Sequence, residues 1–256
     1  MLYPESSMWA AYTPSIEFGA EDSSPEISLV QKTFNKASWD LLRRQVDFDY
    51  IDDKLIEDSK IEDGVFSWNG RRYECIILPA CNVLGTKTIH KLIEMLDAGI
   101  NVIMLGDIPK FSRDTGSSDG IFELFAPYLS NKNLTIISTA TDWNFPSRFK
   151  SKAIPRTITL TESSPKVYAD GEPIAEYVLA QTRILENGDL IVFVANMDGR
   201  PYKGNISVEN MISAEILNTE NGSIEPAEVE VEGNIGTTEI ELNPHKSVAF
   251  YVKTAK

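Results

Sequence analysis

The chain has 256 residues, 42% of them hydrophobic, enough for one large domain or two modest ones around packed cores. Its net charge of −14 sets it against nucleic acid and anionic membrane surfaces, whose recognition needs clustered Lys and Arg. No apolar run approaches the ~20 residues that cross a bilayer, and Met1-Leu2-Tyr3-Pro4 has neither the basic nor the apolar region of a signal peptide.

Leu2-Tyr3 reads as the end of a strand cut short at its start, and a polar loop from Glu5 to Pro25 follows. Leu29, Val30, Phe34, Ala37, Leu41, Leu42 and Val46 recur at helical spacing and predict a long amphipathic helix. Phe48 to Ile51 is a short strand. Val65-Phe66-Ser67-Trp68 and Arg72-Tyr73 flank Asn69-Gly70, a strong signal for a two-residue hairpin. The second arm runs on into Cys75-Ile76-Ile77-Leu78, apolar throughout like a strand buried on both faces. Ile89, Leu92, Ile93 and Leu96 mark the next helix, which Gly99 stops. A strand at Val102 to Leu105, a helix near Ile121 to Leu129 and a strand at Leu134 to Ile137 continue the alternation. Repeated strand–helix–strand units imply an open, mostly parallel sheet covered by helices.

After about Ile154 strands recur without helices between them: Thr157–Leu160, Ala175–Leu185, Leu190–Ala195, Gly204–Val208, Ser213–Leu217, Ala227–Val231, Thr237–Leu242 and Ser247–Val252. Glu186-Asn187-Gly188-Asp189 and Asn221-Gly222 are turn signals, and short strands at this spacing predict a small antiparallel β-sandwich. The boundary falls between Lys150 and Pro165, which gives an α/β domain over 1–155 and an all-β domain over 156–256.

In an open parallel sheet, ligands collect beyond the carboxyl ends of the strands. Pro4–Tyr12, Pro79–Leu84, Gly106–Lys110 and Thr139–Trp143 occupy such places. They offer Ser6, Ser7, Trp9, Tyr12, Asn82, Asp107, Asp142 and Trp143: aromatic faces for a sugar ring and polar groups for its hydroxyls, or else a surface for docking a neighbouring domain. Cys81 ends a strand nine positions before His90, but no nucleophile elbow surrounds it, so the pair is a weak candidate for a cysteine hydrolase. His245, after Asn243-Pro244, is a turn residue. No carboxylate pair stands out as a glycosidase acid and base, and neither glycine-rich phosphate loop occurs. The acidic stretch Asp47 to Asp63 lacks the ligand spacing of a calcium loop and reads as a solvated surface. With no CxxC and only His90 and His245 as imidazoles, zinc is not expected; nor is any other metal or cofactor, and a chain of this length needs no disulfide between Cys75 and Cys81.

Longer strings carry a resemblance. Leu2-Tyr3-Pro4 with Ser7-Met8-Trp9-Ala10 and Tyr12, Tyr73-Glu74-Cys75-Ile76-Ile77-Leu78-Pro79, and the run from Ala98-Gly99 through Gly106-Asp107-Ile108-Pro109 together resemble the glutamine-amidotransferase-like (flavodoxin-like) domain inside large bacterial glycoside hydrolases. The nearest family is the α-L-rhamnosidases with a TIM-barrel catalytic domain, and the β-galactosidase trimerisation domain is a looser relative. Arg183 with Glu186-Asn187-Gly188-Asp189, Ile191 to Asn196, Ile216 to Gly222, and Leu242 with Pro244 and Ser247 resemble the β-domain that follows in such enzymes.

The resemblance implies an indirect role. The acid and base carboxylates of those enzymes lie in a preceding barrel, which this chain lacks. True amidotransferases carry a Cys–His–Glu triad, and the cysteine elbow is missing here. The chain is then a non-catalytic accessory region that supports a sugar site or domain assembly and meets its carbohydrate through a separate catalytic domain, with Ser7, Trp9 and Tyr12 facing that domain or its substrate. Two other readings stay open: a stand-alone carbohydrate-binding or assembly module, and a cysteine-dependent amidohydrolase using Cys81 and His90. Homo-oligomer formation, the sugar and the compartment also stay open.

Overall fold

The computed structural model describes residues 1–12, 24–137, 154, 156–162, 166–167, 173–175, 177–218 and 221–255. Two units separate within it: Met1–Ser38 with Phe48–Ile154, and Trp39–Asp47 with Pro155–Lys256. Up to residue 137 the elements are α1 (Glu5–Ala11), α2 (Pro25–Arg43), α3 (Asp53–Glu57), β1 (Lys60–Glu62), β2 (Val65–Trp68), β3 (Arg71–Tyr73), β4 (Cys75–Leu78), β5 (Val83–Leu84), α4 (Thr86–Asp97), β6 (Asn101–Leu105), β7 (Phe111–Ser112), α5 (Ile121–Phe125), a 3-10 turn at Ala126–Tyr128, and β8 (Leu134–Ile137).

The apolar runs of β4, β6 and β8 form a parallel sheet in that order, with Ile77 opposite Ile103 and Ile103 opposite Thr135. Consecutive residues Ile76, Ile77 and Leu78, and Val102 to Leu105, are all buried, so both faces of the sheet are covered. From α4, Ile89, Leu92, Met95 and Leu96 enter the same core at helical spacing, together with Leu2, Ile56, Phe66 and Phe125. Gly99 ends this stretch at φ +81°, a conformation a side chain would strain.

The fold is mixed α/β with antiparallel sheets as well, and it departs from expectation where single residues decide the backbone. The parallel sheet has three strands among the described residues. Leu2 is not a strand end: it makes an isolated parallel bridge to Ile51, and its N–H donates to the Ile77 carbonyl. Phe48–Ile51 is likewise no strand. Glu5–Ala11, expected as loop, is helix α1. Pro4 precedes its first turn, where no N–H is needed, Glu5 complements the helix dipole, and Met8, Ala10 and Ala11 favour helix; residues 13–23 of that expected loop lie outside the described residues. Helix α2 stops at Arg43, before Val46, because Gln45 turns to φ +53°. Gln45 N–H then bonds to Leu42 O and Val46 N–H to Leu41 O, a Schellman ending. Helix α5 gives way to the 3-10 turn at Ala126 because Pro127 has no N–H to continue the ladder.

Asn69 at φ +48° and Gly70 at φ +80° form the expected hairpin between β2 and β3. The same device at Asp63 and Gly64 adds β1, which periodicity did not reveal. Strand β3 does not run on into β4: Glu74 separates them and they join different sheets.

The second unit holds β9 (Ile158–Glu162), β10 (Lys166–Val167), β11 (Pro173–Ile174), β12 (Val178–Ile184), β13 (Leu190–Asn196), β14 (Tyr202–Glu209), β15 (Met211–Leu217), β16 (Ile224–Ala227), β17 (Glu230–Glu232), β18 (Ile235–Leu242) and β19 (Ser247–Thr254). One antiparallel sheet runs β12-β13-β19-β15-β16 and another β17-β18-β14-β9. Val192, Val194, Phe250 and Val252 of the first meet Leu160, Ile206, Val208 and Ile240 of the second in one core, so the sheets pack face to face. The expected strand Ala227–Val231 is two strands: β16 is an edge of one sheet and β17 an edge of the other, so the chain crosses between sheets there. At the opposite edge, the outward N–H of Thr182 on β12 donates to Asp47 Oδ1, which satisfies a backbone group that an open edge would leave exposed. Asp189, in the turn before β13, accepts from Tyr251 Oη and from Thr254 N–H, so that turn also fastens β19.

Gly204 on β14 marks a close approach. A Cβ there would stand 1.8 Å from the Thr161 carbonyl oxygen and 2.6 Å from the hydroxyl of Tyr202, which itself donates to that carbonyl at 2.8 Å. Burial, and then the charge of Glu162, raise the pKa of this phenol, so it stays a donor. Gly204→Ala should cost about 3 kcal/mol in urea unfolding, because backbone rather than a flexible side chain must move; a change within about 0.5 kcal/mol would contradict that packing.

Candidate functional site

The segments beyond the carboxyl ends of β4 and β6, with α1 and the first turns of α2, enclose a cleft of about 1050 Å³ in the first unit. Backbone bonds fix its floor. The Asn82 carbonyl accepts from the N–H groups of Lys110 and Phe111 at 2.9 and 3.0 Å, and β5 pairs with β7. Ala80 N–H donates to Thr33 Oγ1 at 3.0 Å, which ties α2 to the same loop.

Ser6 and Ser7 are present but already engaged. Ser7 is 3% exposed; its hydroxyl donates to Val83 O and accepts from Val83 N–H, both at 2.9 Å, and so pins α1 to β5. The Ser6 hydroxyl donates to Asp53 Oδ2 and accepts from Arg113 Nη1. Arg113 is a hub: Nη1 reaches Asp53 Oδ2 at 3.0 Å, Nη2 reaches Glu57 Oε1 at 3.4 Å and Nε reaches Asp114 Oδ1 at 3.3 Å. The other oxygen of Asp114 takes Thr86 N–H at 2.8 Å, the first turn of α4, where Gly85 has no side chain to cap it. A Cβ on Gly85 would lie 2.7 Å from Arg113 Nη2 and 2.9 Å from Glu57 Oε1, so a side chain there would require these two groups to shift. Burial opposes the charge on Arg113, but Asp53, Asp114 and Glu57 outweigh it and raise its pKa. The Thr86 N–H bond first, and Arg113 in support, hold Asp114 below the usual carboxylate range.

Trp9, Asn82 and Asp107 are the expected residues that remain available. Trp9 is 68% exposed and spends only its Nε1–H, on Glu5 Oε1 at 3.3 Å. Tyr12 does not line the cleft; it meets the Trp9 ring edge-on, with centroids 6.0 Å apart. The exposed Asn82 amide makes no side-chain hydrogen bond among the described residues, and the Asp107 side chain, 77% exposed, has Lys110 Nζ at 3.5 Å. Asp142 and Trp143 lie outside the described residues.

The cysteine candidates part company. Cys81 borders the cleft but is 3% exposed, and burial, reinforced by the charge of Asp53, pushes its thiol well above the ordinary range, with Ser7 acting weakly the other way. Burial pushes Cys75 up to about 12. His90 is exposed on α4 beside buried Ile89 and does not line the cleft. Among the described residues, no three His, Cys, Asp or Glu side chains gather where a metal ion could sit.

Sequence reasoning missed Phe111, Glu5, Glu26 and Arg113. Phe111 lies one position beyond the Gly106–Lys110 segment and was within reach of the strand-end argument. Arg113 was not: Ser6, Asp53 and Glu57 are 107, 60 and 56 positions away along the chain.

No family model matches the chain, and no curated protein does. Solved structures with a similar fold include a rhamnosidase from Novosphingobium sp. PP1Y, at a TM-score of 0.63 and 16% identity, covering 83% of this chain and 20% of that one. An exo-carrageenase GH42 from Bacteroides ovatus is similar at a TM-score of 0.49 and 14% identity, over 90% of this chain and 27% of that one. A β-galactosidase from Bacillus circulans sp. alkalophilus follows at 0.48 and 8%, over 98% and 41%. The neighbours are glycoside hydrolases, and the chain spans one fifth of the rhamnosidase, 20% of its length.

Two measurements check this geometry. Because the folded pKa of Asp114 is depressed, its contribution is present above the ordinary carboxylate pKa and is lost as pH falls through the folded value. Asp114→Ala should therefore lower stability by about 1 kcal/mol at neutral pH, and the difference from the unchanged protein should shrink below about pH 4. Iodoacetamide should modify Cys81 at least about tenfold more slowly in the folded protein than in urea; equal rates would mean an accessible thiolate.

Proposed function

We propose that the chain is a non-catalytic accessory region of a carbohydrate-active enzyme of the α-L-rhamnosidase-like kind. An α/β domain over 1–155, glutamine-amidotransferase-like in plan, holds or frames a saccharide, and a sandwich domain over 156–256 supports it. The observation that carries the reading is the cleft beyond the ends of β4 and β6, where an exposed indole stands with an exposed amide and an exposed carboxylate and with a buried Cys81 thiol. The parallel sheet and the likeness to one fifth of a rhamnosidase support it. A stand-alone sugar-binding module is the second reading, favoured by a cleft whose lining comes from one unit alone. The burial of Cys81 counts against a cysteine amidohydrolase.

Calorimetric titration of this chain with neutral saccharides tests the proposal. Saturable binding is expected, and Trp9→Ala should weaken it about tenfold while leaving the melting temperature unchanged, since the indole contributes a stacking face and little to the core. Flat titrations across neutral and acidic saccharides would overturn the sugar-holding role.

A further inference from the structure

Three carboxylates line the cleft, those of Glu5, Glu26 and Asp107, and two cations, Lys110 and Arg113. Both cations already face carboxylates of this chain. Lys110 faces Asp107 at 3.5 Å, and all three nitrogens of the Arg113 guanidinium already meet carboxylates, those of Asp53, Glu57 and Asp114. Recognition of a carboxylate or sulfate favours a guanidinium fork, and the one fork among the described lining residues, Arg113, is held by three carboxylates, which leaves the exposed Lys110 beside Asp107. The exposed groups suit hydroxyls. The Asn82 amide donates and accepts, the Asp107 carboxylate accepts, and Trp9 with the part-exposed Phe111 offers apolar faces to the C–H side of a pyranose ring.

We infer that this cleft selects neutral saccharides and rejects carboxylated or sulfated ones, with Glu5, Glu26 and Asp107 setting the selectivity. The inference rests on the sugar-holding reading above. The rejection has two sources: like-charge repulsion from the three carboxylates, and the engagement of the Arg113 fork by Asp53, Glu57 and Asp114, which leaves a ligand's anion poorly matched once its water is removed. The first is screened by salt and the second is not.

The experiment titrates the whole chain at about pH 7 with neutral hexoses (L-rhamnose, D-galactose, D-glucose) and with D-galacturonate and D-glucuronate, in about 0.02 M and about 0.5 M sodium chloride. At low salt the uronates should bind at least about tenfold more weakly than the best neutral hexose. High salt should narrow that ratio, and Glu26→Gln should narrow it about threefold at low salt. Uronates that bind as tightly as the hexoses, and that Trp9→Ala weakens to the same degree, would overturn the selectivity while leaving the sugar-holding reading in place. A ratio unmoved by both Glu26→Gln and salt would overturn the role given to the carboxylates. Binding of neither class would remove the sugar-holding reading itself.

Discussion

A carboxylate taken out of water has to be met by a cation, and in the first unit that requirement organises the walls of the cleft. Asp53 is 8% exposed at the start of α3; Oδ1 is buried without a hydrogen-bond partner among the described residues, and Oδ2 takes both Ser6 and Arg113. Leaving such a group uncompensated costs several kcal/mol, far more than an exposed ion pair returns. Arg113 is therefore held in place, and with it the loop after β7, the first residues of α1 and, through Asp114, the start of α4. Apolar packing builds the sheet beneath, but charge decides where its rim stands.

That arrangement explains why parts of this protein are legible in its sequence and others are not. Burial writes a period, so the strands at Cys75, Asn101 and Leu134, the helix at Thr86 and the sandwich strands could be read from apolar spacing. Positive-φ turns write a composition, so Asn69-Gly70 was readable too. Helix α1, seven residues long, is too short to show a period: its helix-favouring Met8, Ala10 and Ala11 stand beside Ser6 and Ser7, which look like loop residues and are held by Asp53 and Val83, far along the chain. Leu2 does a strand's work with one residue, below the length that any periodicity can register.

The candidate site divides along the same line. Asn82 and Asp107 follow β4 and β6, whose ends converge as those of a parallel sheet do, whereas Trp9 reaches the same cleft from helix α1, after a Leu2 that is no strand. Ser6 and Ser7 line the cleft, but their hydroxyls belong to the scaffold. Arg113 was invisible in a chain with 24 basic and 38 acidic residues, where pairings cannot be deduced from composition. Its three nitrogens are all engaged by carboxylates of the scaffold.

The Asp47 contact to β12 carries a consequence for strand pairing. Strand β12 is the outer strand of its sheet, and the Thr182 N–H, turned outward, is spent on Asp47 Oδ1 at 3.3 Å. A further strand adding to that edge would have to displace this carboxylate and would meet its charge, so the side chain acts there as a gatekeeper against edge-to-edge association.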